Sequence, residues 1–271
     1  MKLPFEKVSP HEEKLRAYFR EFQVPSTVAP LQKPVCIMLF TNRSGSSLVS
    51  EHMRSSEQFT GFGEPLNTHW VLERCERENL TTFADYLSWE TNRLYEHKPG
   101  ALLGMKASYG QAMMLMRAMA IPHFFDDVRW VVIQREDLLS QAISFAIADQ
   151  TKQWHSFDKA EGAEPVYDFH DIRRRLQGFA NSHMAINMFC SVFQIRPHRI
   201  IYDEFARKPL AGAKALAAHL GVKRARFDLS ELQMQKQHSQ LSDKFRERFL
   251  RDYREQLSIG NSVSTDEADS T

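Results

Sequence analysis

The segment from Val35 to Ser50 constrains the fold of this chain more than any other. A short apolar run, bounded by Pro34, leads into a polar loop with Arg43 and Gly45, and the chain then continues with a helical pattern. A strand that enters a helix through a tight loop directs backbone N–H groups and the positive helix end at one point, where anions bind. The segment therefore predicts a phosphate site at the end of a buried strand.

The loop differs from a Walker A sequence, G-x-x-x-x-G-K-[ST], because its arginine precedes the single glycine and no lysine follows. We expect a guanidinium, backbone donors and hydroxyls to surround the phosphate, and a helix to begin near Ser46 or Ser47. The residues concerned are Arg43, Ser44, Gly45, Ser46 and Ser47. An ordinary serine and glycine turn with Ser46 as the helix N-cap fits the local sequence equally well.

Strand patterns alternate with helix patterns along the chain. After the first strand, apolar runs at 101–105, 129–134 and 198–202 are typical of buried strands, and helical periodicity follows each of them. Residues 61–65 are typical of a turn. The alternation predicts an α/β fold with a central, mainly parallel sheet flanked by helices.

The length of 271 residues and the 42% apolar content suit one good core. We expect a single domain over 1–257, in which 1–32 form an N-terminal helix and lead-in. Residues 258–271 are small and acidic, and we expect this tail to be disordered.

Composition excludes several functional classes. A formal net charge of +1 gives no general attraction to nucleic acid or to an anionic membrane. No apolar run approaches the ~18 residues of a membrane span, and the charged N-terminus has no signal-peptide centre. Three scattered cysteines suggest a reducing compartment, and no cluster has metal-ligand spacing. We expect a cytoplasmic protein without a metal, a membrane span or a nucleic-acid partner.

Two side chains after the phosphate loop have the chemistry of catalytic groups. Glu64 lies on a constrained turn between Gly63 and Pro65, and a carboxylate near a phosphate site is disfavoured unless it is paired or works there. It is a candidate general base, with His69 as the rival. Lys106 ends the second strand and is a candidate for neutralising charge on a transferring group. Solvated surface roles for these side chains remain open.

A second anion contact is predicted further along the chain. Arg135 follows the strand 129–134, and Ser144 lies nine residues later on the succeeding helix, so that together they are candidates to clamp a phosphate. A surface Arg135 paired with a neighbouring carboxylate is the simpler alternative. Lys236, before the last helix, is a further candidate for a nucleotide contact.

Taken together, these segments resemble the sulfotransferases that use 3′-phosphoadenosine-5′-phosphosulfate (PAPS), and among them the bacterial carbohydrate sulfotransferases of the trehalose 2-sulfotransferase type. Residues 41–48 resemble the family's 5′-phosphosulfate loop, 63–65 its G-E-P turn, and 135–144 its 3′-phosphate block. Residues 103–106, 150–154 and 201–205 are also similar to family segments. The resemblance spans roughly residues 33 to 250.

The resemblance implies a three-layer, P-loop-like fold and a PAPS co-substrate without a metal. The loop from Arg43 to Ser47 would then hold the 5′-phosphosulfate, and Arg135 and Ser144 the 3′-phosphate. Glu64 would deprotonate a hydroxyl of a carbohydrate or another small acceptor. The resemblance also makes a homodimer an expectation.

Two other classes of function remain open from the sequence. A P-loop-type kinase or NTPase would share the strand, loop and helix, although the Gly-Lys-Ser/Thr sequence is missing. A non-catalytic nucleotide-binding protein would keep the loop but have no use for Glu64. Metal-dependent ATP turnover would favour the first, and absence of any turnover would favour the second.

Overall fold

A computed structural model describes residues 3–154, 164–230, 232 and 240–266. These residues belong to two compact units. Unit 1 comprises residues 1–136 and 181–234, and unit 2 comprises residues 137–180 and 235–271. The expectation of one domain over 1–257 stays a prediction.

The central sheet lies in unit 1 and is entirely parallel. Its strands are β1 (Val35–Leu39), β2 (Phe59–Gly63), β3 (Leu102–Ala107), β4 (Val128–Gln134) and β5 (His198–Ile201). The strand order is β2-β3-β1-β4-β5, which places β1 in the centre with β3 and β4 as its neighbours. All five residues of β1 are buried, as a strand covered on both faces requires.

The described residues also form eleven α-helices. They are α1 (Pro10–Tyr18), α2 (Ser46–Arg54), α3 (Thr68–Glu78), α4 (Phe83–His97), α5 (Tyr109–Arg117), α6 (Ala120–His123), α7 (Leu138–Thr151), α8 (Phe169–Val192), α9 (Tyr202–Arg207), α10 (Pro209–His219) and α11 (Gln240–Asp266). A 3₁₀ turn at Pro4–Glu6 precedes them.

Two apolar clusters of unit 1 cover the two faces of the sheet. Val35, Ile37 and Leu39 of β1 belong to one cluster, whereas Cys36 and Met38 belong to the other. This alternation follows from the two-residue period of a strand. The prediction of an α/β fold with helices on both sides of a parallel sheet is confirmed.

Four strands form where the sequence predicts them, and one is an addition. The turn predicted at 61–65 is in part the edge strand β2. Gly61 and Phe62 have positive φ angles of 80° and 56°, and the pairing with β3 shifts between Gly61 and Gly63. Glycines and an irregular register hide the period-two pattern that identifies a strand.

Unit 2 has its own apolar cluster. Phe169, Ile172 and Phe179 of α8 pack with Ala142, Ile143 and Ala146 of α7 and with Phe245 and Phe249 of α11. Helix α11 runs to Asp266, and residues 267–271 lie outside the described residues. The disordered tail over 258–271 stays a prediction.

A buried ion cluster ties α1 to α5 in unit 1. Glu12 is fully buried, and its carboxylate accepts hydrogen bonds from Arg16 Nε at 2.9 Å and from Arg117 Nε at 2.9 Å. Burial alone would raise the pKa of Glu12, but the hydrogen bonds and charges of the two arginines outweigh it and hold that pKa below its ordinary value. The carboxylate is therefore a structural anion.

Replacing Glu12 by glutamine should lower the free energy of unfolding by about 3 kcal/mol, because two arginines lose their shared partner. Folding lowers the carboxyl pKa, so its stabilisation is present above the unfolded pKa and is lost as the pH falls through the folded value. The deficit should therefore shrink in acid. Urea unfolding of Glu12→Gln at neutral and acidic pH measures this.

The exposed neighbour Glu13 provides the control, and Glu13→Gln should unfold like the wild type. A deficit of Glu12→Gln that does not change with pH would contradict the assigned charge state.

No helix among the residues that the structure describes is both long and apolar enough to cross a membrane.

Candidate functional site

The candidate site lies at the carboxyl edge of the sheet. Because all strands are parallel, the segments that follow them emerge at the same edge, where ligands of open α/β sheets bind. Arg43 follows β1, Glu64 follows β2, Lys106 is the penultimate residue of β3, Arg135 follows β4, and Tyr202 follows β5. All five residues belong to unit 1.

The loop after β1 has the backbone of an anion-binding turn. Arg43 and Gly45 have φ angles of 61° and 87°, both in the left-handed region. Helix α2 begins at Ser46, as predicted, and its N-cap is Gly45, which offers no side-chain cap. The alternative in which Ser46 caps the helix is therefore wrong.

Two buried polar atoms at this edge fit an anionic ligand. Ser44 is fully buried, and among the described residues its Oγ has no hydrogen-bond partner. Nε of Arg135 is likewise buried and unpartnered within the described part of the chain. Buried donors without partners are costly, and phosphate oxygens would satisfy both. The donor set therefore suits a phosphorylated ligand.

Tyr202 is a member of the site that the sequence interpretation did not select. A Cβ at Gly45 would overlap its ring, and the guanidinium of Arg135 lies over the ring at 5.2 Å from Cζ to the centroid. Burial raises the pKa of Tyr202, while the charges of Arg135 and Arg43 act to lower it. The ring thus links the loop after β1 to the arginine after β4.

Glu64 and Lys106 form an ion pair at the same edge. The distance from Lys106 Nζ to Glu64 Oε1 is 2.9 Å, and the two side chains are 8% and 38% exposed respectively. The ammonium group also lies 5.2 Å from the centroid of the Phe40 ring. The carboxylate is therefore both paired and open to solvent, as a group that must reach a substrate hydroxyl has to be.

Glu64 directly follows an irregular end of β2. The ring of Phe62 packs directly on Gly104 of β3, where any Cβ would overlap it. This close approach accompanies the register shift just before Glu64.

His69 occupies a different environment. It lies in the first turn of α3, its side chain is 76% exposed, and its Nε2 is 4.0 Å from an oxygen of Glu73. Its ring contacts Trp70, with centroids 4.9 Å apart. Glu64 rather than His69 is thus the group that contacts Lys106, and the choice of base stays a prediction.

The remaining predicted residues lie elsewhere. Ser144 is half-buried on α7 in unit 2, and its joint role with Arg135 stays a prediction. Lys236 lies outside the described residues. Among the described residues, no group of three or more His, Cys, Asp or Glu side chains is arranged to hold a metal ion.

Comparison with protein families gives one match, to the Stf0 sulphotransferases over residues 93–252, which is more than half of the chain. The matched range contains Lys106, Arg135 and Ser144, and it begins after the Arg43 loop and Glu64. No curated protein matches the chain significantly.

Solved structures include several similar chains. A sulfotransferase domain from the curacin biosynthetic pathway is 18% identical with a TM-score of 0.46, over 74% of this chain and 77% of that chain. One from the Synechococcus PCC 7002 olefin synthase is 17% identical with a TM-score of 0.47, over 84% and 90%. A sulfotransferase from Alicyclobacillus acidocaldarius is 16% identical with a TM-score of 0.46, over 82% and 93%.

Proposed function

The chain belongs to the Stf0 sulphotransferase family and is a sulfotransferase, and from that premise we propose that it transfers the sulfuryl group of PAPS to a hydroxyl of a carbohydrate or another small acceptor. The main support for the proposal is the Glu64–Lys106 ion pair, which lies at the same edge of the sheet as the loop from Arg43 to Ser47. A base and a cation beside an anion site are the parts that transfer of a charged group to a hydroxyl requires.

The loop from Arg43 to Ser47 would hold the 5′-phosphosulfate. Its backbone N–H groups and the start of α2 supply positive potential, and the buried hydroxyl of Ser44 supplies a donor. Arg135 would bind the 3′-phosphate with the buried Nε that lacks a protein partner among the described residues. Ser144 and Lys236 would also contact PAPS, as the family resemblance implies.

PAPS, when bound, supplies a sulfuryl group on a phosphate leaving group. The oxygen of the acceptor hydroxyl forms a bond to sulfur while the bond from sulfur to the phosphate oxygen breaks. Glu64 accepts the proton that the hydroxyl loses in this step. Lys106 neutralises the charge that develops on the sulfuryl and bridging oxygens. The 2.9 Å ion pair between Glu64 and Lys106 supports this assignment, since a base and a cation that act on one reacting centre have to lie close together.

The Arg135→Ala variant tests the assignment of the donor. Loss of one charged hydrogen bond should weaken the binding of adenosine 3′,5′-bisphosphate by roughly 1.5–3 kcal/mol. The binding of adenosine 5′-phosphate, which lacks the 3′-phosphate, should change far less. Calorimetric titration of both nucleotides into wild type and variant measures the difference.

Arg129→Ala is the matched control. Arg129 lies near the start of β4, the strand that precedes Arg135, and it pairs with Asp127. The Arg129→Ala variant should bind both nucleotides like the wild type. An equal loss of both nucleotides in Arg135→Ala would remove the 3′-phosphate from this arginine, and magnesium-dependent binding of ATP in preference to both would favour a kinase-like donor.

A cytoplasmic location and a homodimer remain expectations that rest on the sequence and on the family resemblance. Sedimentation analysis of the purified chain tests the second of them.

A further inference from the structure

The backbone that carries Glu64 has little support from the sheet. β2 pairs with β3 alone in the described sheet, its register shifts next to Gly63, and two residues before that point have positive φ. An edge strand with an irregular end does not by itself fix the direction of the side chain that follows it. Other contacts must therefore orient the turn from Glu64 to Asn67.

Two side chains from neighbouring helices bind carbonyl groups of this turn. The hydroxyl of Tyr86, on α4, donates a hydrogen bond to the Pro65 carbonyl, and Nε2 of Gln111, on α5, donates to the Leu66 carbonyl at 2.9 Å. The Glu64 carbonyl accepts from the backbone N–H of Asn67 at 3.1 Å. Three successive carbonyls are thus satisfied, two of them by side chains from outside the turn.

Tyr86 is the more deeply anchored of the two donors. It is fully buried, and its ring stacks on Phe83 with centroids 6.4 Å apart. Burial raises the pKa of the Tyr86 hydroxyl and the charge of Glu90 raises it further, while the charge of Arg74 and its hydrogen bond with Tyr86 oppose both. The hydroxyl therefore keeps its proton and can only serve the turn as a donor.

An ion network holds the side of α4 that carries Tyr86. Glu90 is buried and pairs with Arg74 of α3 at 3.0 Å and with Arg93 at 2.7 Å. Helix α3 follows directly after the turn, so the network ties both the tyrosine and the end of the turn to the same rigid support.

We propose that Tyr86 is a positioning residue for the reaction: through the Pro65 carbonyl it fixes the turn that presents the Glu64 carboxylate to the acceptor hydroxyl and to Lys106. This inference rests on the proposed role of Glu64. A carboxylate displaced by about 1 Å loses much of its effect as a base, because proton transfer depends on hydrogen-bond geometry.

The Tyr86→Phe variant keeps the buried ring and removes the hydroxyl, which donates to the Pro65 carbonyl and also interacts with Arg74. We expect kcat for sulfuryl transfer to fall at least about tenfold, while the affinity for adenosine 3′,5′-bisphosphate stays within a factor of about two. Tyr95→Phe is the matched control, since Tyr95 lies on the same helix and its buried hydroxyl has no hydrogen-bond partner among the described residues. It should keep the wild-type kcat.

The double variant separates positioning from a general loss of stability. If Tyr86 acts through Glu64, Tyr86→Phe should cost less than about twofold when Glu64 is already glutamine. An equal fall in both backgrounds, or a loss of nucleotide affinity that parallels the loss of kcat, would make the role merely structural and overturn the inference.

The outcomes also separate this inference from the proposed function. A strong effect of Glu64→Gln with no effect of Tyr86→Phe overturns the inference alone. A Glu64→Gln variant with wild-type turnover, or a wild type that transfers no sulfuryl group, overturns the proposed function and the inference with it.

Discussion

Glu64→Gln should lower the turnover of sulfuryl transfer by about 10²-fold or more, the effect expected when a general base is lost. Glutamine keeps the size and shape of the side chain, but it cannot accept the proton of the acceptor hydroxyl. The proposed nucleotide contacts are those of the Arg43 loop and Arg135, so the affinity for adenosine 3′,5′-bisphosphate should stay within a factor of about two. Initial rates and calorimetric titration on the same preparation measure both quantities.

Two further variants make the Glu64 experiment specific. His69→Gln removes the rival base and should leave turnover nearly unchanged, because His69 is exposed and contacts Glu73 and Trp70 rather than Lys106. Glu73→Gln removes a carboxylate from the exposed face of α3 and controls for net charge. Wild-type turnover in Glu64→Gln together with a large loss in His69→Gln would transfer the role of base to the histidine.

Lys106→Met should lower turnover by roughly 10²–10³-fold, the range for removing one group that stabilises charge in a transition state. Methionine fills the buried space next to Phe40 and preserves the packing of β3, so the loss reports on the charge. The variant also leaves Glu64 without its partner. The effects of Glu64→Gln and Lys106→Met should therefore be far from additive when combined.

Lys33→Met is the control for the Lys106 experiment. Lys33 precedes β1 at the opposite edge of the sheet, where its Nζ donates to the Gly100 carbonyl at 2.7 Å. Its replacement should leave kcat unchanged. If Lys106→Met raises the KM for PAPS without lowering kcat, Lys106 contributes to ground-state binding alone and not to the transfer step.

Local sequence patterns predicted the central strands well because those strands are buried on both faces. The runs that became β1 and β4 are continuously apolar over most of their length, and burial on both faces of a parallel sheet requires that composition. The start of helix α2 was also predicted correctly, because Gly45 can adopt the left-handed backbone conformation that ends the loop before the helix. β2 was missed because its glycines and positive φ angles carry the sequence signal of a turn.

The site could be predicted only as far as its residues follow strands. Arg43, Glu64, Lys106 and Arg135 each lie at or just after a predicted strand or turn, and a parallel sheet collects the carboxyl ends of its strands at one edge. The ion pair of Glu64 with Lys106 was not expected, since neither β2 nor the register shift just before Glu64 was predicted. Tyr202 and Tyr86 were not selected because their roles arise from contacts with residues far apart in the chain, which no local pattern encodes.

Transfer of labelled sulfur from PAPS to an acceptor is the direct measurement of sulfuryl transfer by this chain. The purified chain would be incubated with sulfur-labelled PAPS and a pool of hydroxyl-bearing metabolites, without added metal, and the products separated and identified by mass spectrometry. We expect a metabolite that carries the label as one added sulfuryl group, an equal amount of adenosine 3′,5′-bisphosphate, and loss of both in Glu64→Gln. Label that remains on PAPS, or that appears only as free sulfate at the same rate in wild type and Glu64→Gln, would contradict it.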